Sequence, residues 1–404
     1  MNEVVIAGYL RTAQSRSRPN DPSRDWFSKL RADELLSQIM PAVAEQAGID
    51  PGEINDFLVG TALGMGEQHT FGGRLPIFLA NFPETISAKF VDQQCGSSMA
   101  AIHVGFMEIA TKFADIVMVA GAEHMTRVPM GLSTADRGLM APNMQLFTNP
   151  KYSHWDMATV MNMGVTAEKL LKQTEFSRED LDKWALRAHQ LAAKAQEEGF
   201  FEGEIMPIEA PQHDGSTLTV KTDQAVRADT TLEGLANLKP VFDKKAGRVT
   251  PGNASPLNAA ASCMILMSKE TARKKGIKPL ATIRSIGFAG VDPTIMGQGP
   301  VPASQKALDP VGLKSSDIDF WEINEAFSIV ALNCIKELGL DPDTVNVMGG
   351  GLAIGHPLGA TGVRLVGTLA RILEEKGGQW GCANACVGGG QGVATIIERE
   401  NYDW

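Results

Sequence analysis

A chain of 404 residues, 44% hydrophobic and 21% charged, is long enough for two or three cores and has an ordinary globular composition. Its formal net charge of -10 argues against general nucleic-acid binding, so an anionic ligand would need locally placed cations. Five cysteines, an odd number without framework spacing, predict reduced thiols and a cytoplasmic location, and Cys382 and Cys386 lack the partners of a zinc site, so no metal is expected.

In chain order, "MNEVVIAGYLRT" enters a strand at once and has no signal-peptide design, and no later apolar run is long enough to span a membrane. "AGIDPGEINDFLVGTA" (47–62) reads as a helix end, a glycine C-cap, a polar turn and a strand. "AKFV" then suits a short strand and "SSMAAIHVGFMEIA" a helix, with Met99, Ile102, Phe106 and Ile109 at helical spacing. Cys95 falls at the strand-to-helix turn between them, where free N–H groups favour a thiolate, although a lone cysteine in such a place is more often structural. Residues 125–165 hold seven of the eighteen methionines and many turn residues, predicting an adaptable lining and not a regular sheet. "SREDLDKWALRAHQLAAKAQEEG" (177–199) predicts an amphipathic helix capped by Ser177, burying Leu181, Trp184, Ala188, Leu191 and Ala195, and ended by Gly199.

"VGLKSSDIDFWEINEA" (311–326) lies without gaps on 47–62, pairing Gly48 with Gly312, Ile54 with Ile318 and Phe57 with Trp321. A second alignment sets Cys95 opposite His356, each opening a small-residue helix. A duplicated α/β unit is expected, with a first half at 1–124 plus 247–273, an inserted domain at 125–246 and a second half at 274–404.

Three segments of the second half offer chemistry. Asn324 and Glu325 end the apolar strand "IDFWEI", where polar side chains face clefts; Asn324 reads almost equally well as a helix cap. His356 lies in "MGGGLAIGHPLGATGVR", whose glycines permit close backbone approach but do not match a P-loop. Cys386 precedes a triple glycine that can present N–H groups to an oxyanion. Cys263 and Cys334 are assigned to packing, Cys382 to structure, and His103, His124, His154, His189 and His213 to surface or core.

"CGSSM" at Cys95, "NEAF" (324–327), "GHPLGATG" (355–362) and "CVGGGQG" (386–392) together resemble the four active-site signatures of the thiolases, over nearly the whole chain. "GAEHMTRVPM", "MGVTAEKL" and "GPVPAS" resemble further family segments. With Ser98, they look closest to the degradative 3-ketoacyl-CoA thiolases of fatty-acid β-oxidation. The resemblance implies an α/β fold of two βαβαβαββ halves in a five-layered α/β/α/β/α sandwich with an inserted loop domain. It implies no permanently bound cofactor, CoA and acyl-CoA as substrates, and a homodimer or homotetramer that could join a β-oxidation hydratase/dehydrogenase subunit. By the same resemblance Cys95 is the nucleophile, His356 helps form its thiolate, and Cys386 handles the α-carbon proton. Asn324 and His356 serve the enolate oxygen, and the N–H groups of Cys95 and Gly388 a second oxyanion. For CoA the matching positions are Ser255, Arg227, Met163, Phe242 and Phe327, each also readable as turn, surface or core. The family's usual "NDGAAA" is replaced by "LNAAASC" (257–263), with Ala259 and Ala260 for an acidic residue and glycine, and Asn162 stands where biosynthetic relatives often have histidine. Competing readings are a biosynthetic acetoacetyl-CoA thiolase, a thiolase for aromatic or dicarboxylic 3-ketoacyl-CoA, and a silent structural subunit. A ketoacyl synthase is disfavoured by Cys386 beside its triple glycine.

Overall fold

The computed structural model describes residues 1–128 and 142–404; the end of "GAEHMTRVPM" and part of the methionine-rich stretch lie outside the described residues. The strands are β1 (Val4–Arg11), β2 (Ser15–Arg16), β3 (Asp56–Gly60), β4 (Ser87–Val91), β5 (Ile116–His124), β6 (Ile208–Pro211), β7 (Thr217–Val220), β8 (Asn258–Ser268), β9 (Ala281–Gly290), β10 (Phe320–Ile323), β11 (Trp380–Val387) and β12 (Gln391–Glu398). The helices needed below are α1 (Ala32–Gln46), α2 (Ser97–Ala110), α3 (Met163–Leu171), α4 (Arg178–Glu197), α5 (Pro300–Leu308), α6 (Ser328–Leu338) and α7 (Thr361–Lys376).

The main strands follow one hydrogen-bonded path, β10-β11-β12-β9-β1-β8-β5-β3-β4, with β2 on β8. At its centre β1 and β9 meet antiparallel, Val4 to Ile6 against Ile283 to Ala281. Outward from this seam both sides repeat one pattern, antiparallel neighbours first (β8 and β5; β12 and β11) and then a parallel strand (β3; β10). Helices α2 and α7 pack on each other between the two sides, α1 covers β1, β5 and β8 from outside, and α5 covers β9 and β12. The result is the five-layered α/β/α/β/α thiolase fold.

The middle layer explains sequences that look wrong for surface helices. Helix α7 is buried all round its first three turns, with Val363, Leu365, Val366 and Leu369 fully enclosed, because it has sheet on one side and α2 on another. Trimming Leu369 to Ala would cost about 2–5 kcal/mol. The two central helices approach so closely that a Cβ on Gly362 would lie 2.7 Å from Met99 Cα.

The repeat is real and continues beyond 47–62. A constant offset of 264 residues relates the left-handed C-caps Gly48 and Gly312, the short turns Pro51–Glu53 and Ser315–Asp317, and strands β3 and β10. The same offset relates the turns Gln94–Gly96 and Leu358–Ala360 and the helix starts Ser97 and Thr361. Cys95 is therefore equivalent to Gly359; the expected pairing with His356 is off by three residues, because Cys95 lies inside its turn while His356 lies two residues before the equivalent one.

After His124 the chain leaves the sheet and rejoins it at Asn258. Helix α4 is capped by Ser177, whose hydroxyl accepts the Asp180 N–H, and Gly199 follows it at φ +77°. Its buried stripe takes Ala192 while Leu191 is only half covered, since the stripe faces both α6 and the turn after Gly199.

Candidate active site

Cys95 sits in the tight turn between β4 and α2, as its flanks predict, and is 6% exposed. Gln94 before it holds φ +49°, a left-handed conformation rare for non-glycine residues and found at functional turns. The turn is braced by Ser97, whose hydroxyl accepts the Gln93 N–H at 3.0 Å and donates to Gln94 O at 2.6 Å. Burial pushes the Cys95 thiol up to about 12, opposed by the backbone N–H groups of Gly388 and of Cys95 itself; the Glu123 charge pushes the same way as burial. The resting residue is a thiol.

Asn324 directly follows β10, its N–H donating to Asn384 O on β11 at 2.9 Å, and is wholly buried three residues before the Phe327 cap of α6, so it is not a helix cap. Its Nδ2 lies 3.3 Å from His356 Nε2. On the other side of the ring, Nδ1 lies 2.7 Å from Thr361 Oγ1, and that hydroxyl donates to Pro357 O at 2.9 Å. With the hydroxyl proton directed to Pro357, Nδ1 carries the ring hydrogen and Nε2 the lone pair that faces Asn324. Burial first, and then the Arg364 charge, lower His356 to about 3, so the imidazole is neutral. Its backbone is fixed too, since the His356 N–H donates to Asn258 Oδ1 at 2.9 Å while Asn258 Nδ2 donates to Ser15 O at 3.1 Å. Gly355 holds φ +117° against this amide, a conformation that suits glycine alone.

Cys386 is fully buried near the end of β11, opposite Gly392 on β12. Its thiol is raised by burial and then by the neighbouring Cys95 and Cys334. The turn after it takes Gly389 and Gly390 at positive φ and leaves Gly388 facing Gln94 and Met163 Sδ. Met163 opens α3, whose cap is Asn162, and packs with Phe327 and Cys386 in one apolar cluster. Phe242 meets Phe327 edge-on at 6.4 Å. Ser255 and Phe242 line an adjoining cleft and Arg227 the next one. The structure thus brings Cys95, Gly388, Cys386, Met163 and Phe327 together from both halves and from the segment between, pairs Asn324 with His356, and leaves Ser255, Phe242 and Arg227 further out.

Sequence reasoning missed three supporting groups. Asn258 is the second residue of "LNAAAS", directly before the departures at Ala259 and Ala260, and it keeps the asparagine of the usual "NDGAAA", which was its signal. Thr361 stands five residues after His356, at the start of the helix its motif opens. Glu123 accepts the N–H groups of Ala62 at 2.9 Å and Gly359 at 2.8 Å, joining the halves beside Cys95. Nothing in its local sequence marks it. Glu325 is structural, accepting from Trp184 Nε1 at 2.7 Å and Asn346 Nδ2 at 2.8 Å. Cys263, Cys334 and Cys382 are buried in strand or helix, and His103 is buried 3.0 Å from Thr395 Oγ1. Among the described residues no group of three or more His, Cys, Asp or Glu side chains is placed to hold a metal, and no helix is long and apolar enough to cross a membrane.

The family model described as "Thiolase, N-terminal domain" matches residues 4–270, and "Thiolase, C-terminal domain" matches 277–399. Relatives named 3-ketoacyl-CoA thiolase from Marinobacter nauticus and Hahella chejuensis are each 40% identical, over 98% of this chain and 98% of their own. One from Saccharophagus degradans is 39% identical with the same coverage. The crystal structure of the Bacillus anthracis acetyl-CoA acetyltransferase has a TM-score of 0.87 at 36% identity, covering 98% of this chain and 99% of that one. Fold and likeness together define an acyltransferase. The chain belongs to the thiolase family.

Proposed function

We propose that the chain cleaves 3-ketoacyl-CoA with CoA, giving acyl-CoA and acetyl-CoA through an acyl-enzyme on Cys95. The observation that carries this reading is the contact across the halves, in which the turn that holds Cys95 packs through Gly96 on Val387 and through Gln94 on Gly388, the two residues after Cys386. The backbone of Gly388 thereby comes beside Cys95, where its N–H and that of Cys95 would serve an acyl oxygen on the sulfur. The names of the curated relatives support the substrate class.

In the proposed cycle neutral His356 takes the Cys95 proton and the thiolate attacks the 3-keto carbon. The C2–C3 bond breaks, Asn324 and the imidazolium stabilise the enolate oxygen of acetyl-CoA, and Cys386 protonates its α-carbon. Incoming CoA gives its thiol proton to the Cys386 thiolate and displaces the acyl group, and Cys95 recovers its proton from His356. The domain division at 125–246 belongs to the same reading, as does a second copy pairing along β4. That strand is the sheet's outer edge, flanked by Phe71, 69% exposed, Phe78, 53% exposed, and Leu79, 51% exposed.

Wild-type chain in heavy water should wash deuterium into the methyl group of acetyl-CoA. Cys386→Ala should nearly abolish that exchange yet still acquire one acyl mass on Cys95 from acyl-CoA. Normal exchange in Cys386→Ala would remove Cys386 from the proton step, and label on another cysteine would remove Cys95 from the first. Likeness to an acetyl-CoA acetyltransferase favours a second reading, condensation of two acetyl-CoA molecules. Turnover of long against short 3-ketoacyl-CoA separates the two.

A further inference from the structure

Two clefts open side by side beyond Phe242. One, of about 550 Å³, is lined by Arg16, Arg18, Arg24, Phe242 and Ser255, and the other, of about 450 Å³, by Arg16, His189, Arg227 and Thr231. Arg16, Pro251, Ala254 and Pro256 belong to both walls. Four arginines therefore line one divided hollow. Asp21 and Asp229 line it too, yet among the described residues none of the four arginines forms an ion pair, unlike Arg11, Arg127 or Arg364. Half-buried Arg16 is depressed to about 10, by burial first and then by the charges of Arg18, Arg227 and Arg24. In a chain of net charge -10 such an unneutralised cluster is a local exception.

The cluster is also held in shape. Gln224 accepts the Arg16 N–H at 2.7 Å and donates to Arg24 O at 2.9 Å, and the Arg18 N–H donates to Thr126 Oγ1 at 2.7 Å. One glutamine, three residues before Arg227, thus ties the segment 16–24 to the segment that carries the fourth arginine. Such preorganisation lowers the ordering cost of binding.

We propose that Arg16, Arg18 and Arg24 complete, with Arg227, a binding site for the phosphate groups at the nucleotide end of CoA. The choice of ligand rests on the function proposed above. CoA carries its reactive sulfur at one end and a pyrophosphate and a 3′-phosphate at the other. From the reacting end outward the protein packs Cys386 with Phe327 and Phe327 against Phe242, and Phe242 stands on the wall of the cleft that Ser255 and three of the arginines also line. Guanidinium groups match phosphate oxygens in charge and in their paired hydrogen-bond geometry. The site makes the enzyme choose CoA thioesters over thioesters of bare pantetheine, which lack those phosphates.

Calorimetric titration of the full chain with adenosine 3′,5′-bisphosphate and with CoA reads the site without turnover. Arg16→Gln/Arg18→Gln is expected to weaken both by about tenfold or more, the size of a lost charge-assisted contact. It should lower the preference in kcat/KM for acetoacetyl-CoA over acetoacetyl-pantetheine by a similar factor. Arg16→Lys/Arg18→Lys should recover part of the loss, which a folding defect would not. Arg273→Gln, removing an exposed charge elsewhere, should change binding by less than about twofold, as a screened surface charge does. A folded double glutamine variant with wild-type affinity for the bisphosphate overturns the proposal, as does a wild-type chain that does not bind it. A wild-type chain that binds the bisphosphate through these arginines but cleaves no 3-ketoacyl-CoA sinks the thiolysis reading and leaves the phosphate site standing.

Discussion

At the offset of 264 residues, the first half carries Gly60, Asp92, Cys95 and Ala122 where the second carries Asn324, His356, Gly359 and Cys386. The scaffolds match, but at three of these four places a reactive side chain in one half answers glycine or alanine in the other. The reason is contact. A Cβ on Gly359 would stand 2.5 Å from Thr61 Cα, and one on Gly60 would stand 2.5 Å from Ser98 N. The helix start of the second half presses on strand ends of the first, and Gly60 is pressed by the helix start of its own half, so neither glycine has room for a side chain. Symmetric folding therefore yields an asymmetric site, with the sulfur proposed to accept the acyl group from one half and the imidazole, amide and second thiol from the other.

The strongest way to break this arrangement is to remove the first half's one contribution. Cys95→Ala should lower thiolysis by about 10⁴-fold or more, since no other side chain can take the covalent step. Activity within tenfold of wild type would show that the acyl group is carried elsewhere.

Asn324→Gly gives the second half the residue of the first. It should lower kcat by about 10²–10³ with a smaller effect on KM, as expected for one oxyanion donor. A change confined to KM would make Asn324 a binding residue.

Gly359→Ala tests the contact itself. The new methyl has no space between Thr61 Cα and the carbonyl oxygens of Gly60 and Ala122, so unfolding stability should fall by about 1–3 kcal/mol. An unchanged denaturation midpoint would mean that the halves can separate there without cost.

An effect of similar size concerns Glu123, which holds an N–H from each half. Burial raises its carboxyl from 4.5 to about 7 against four hydrogen bonds. The folded chain thus holds that proton more tightly than the unfolded one. The associated stability is fully present below about pH 4.5 and is lost as pH rises to about 7. Glu123→Gln should flatten the stability profile across that window, by up to about 3 kcal/mol between its ends. An unaltered profile would place the titration on another group.

The sequence by itself determined the α/β class, the repeat from Gly48 to Ala62 and from Gly312 to Ala326, and the turns that hold Cys95, His356 and Cys386. Those features are local, since a glycine C-cap, a capping serine and alternating or helical apolar spacing act within a few residues. Family resemblance then marked which turns were expected to carry chemistry, and the family matches bear out the resemblance itself. Only the tertiary structure decided that Cys95 answers Gly359 and not His356, that Asn324 follows a strand and does not cap a helix, and that Asn258, Thr361 and Glu123 hold the site. It also decided that Arg16 and Arg18 share a hollow with Arg227, more than 200 positions away in the chain. These are long-range facts, set by which surfaces remain after ten strands and two central helices have packed, and no window of neighbouring residues contains them.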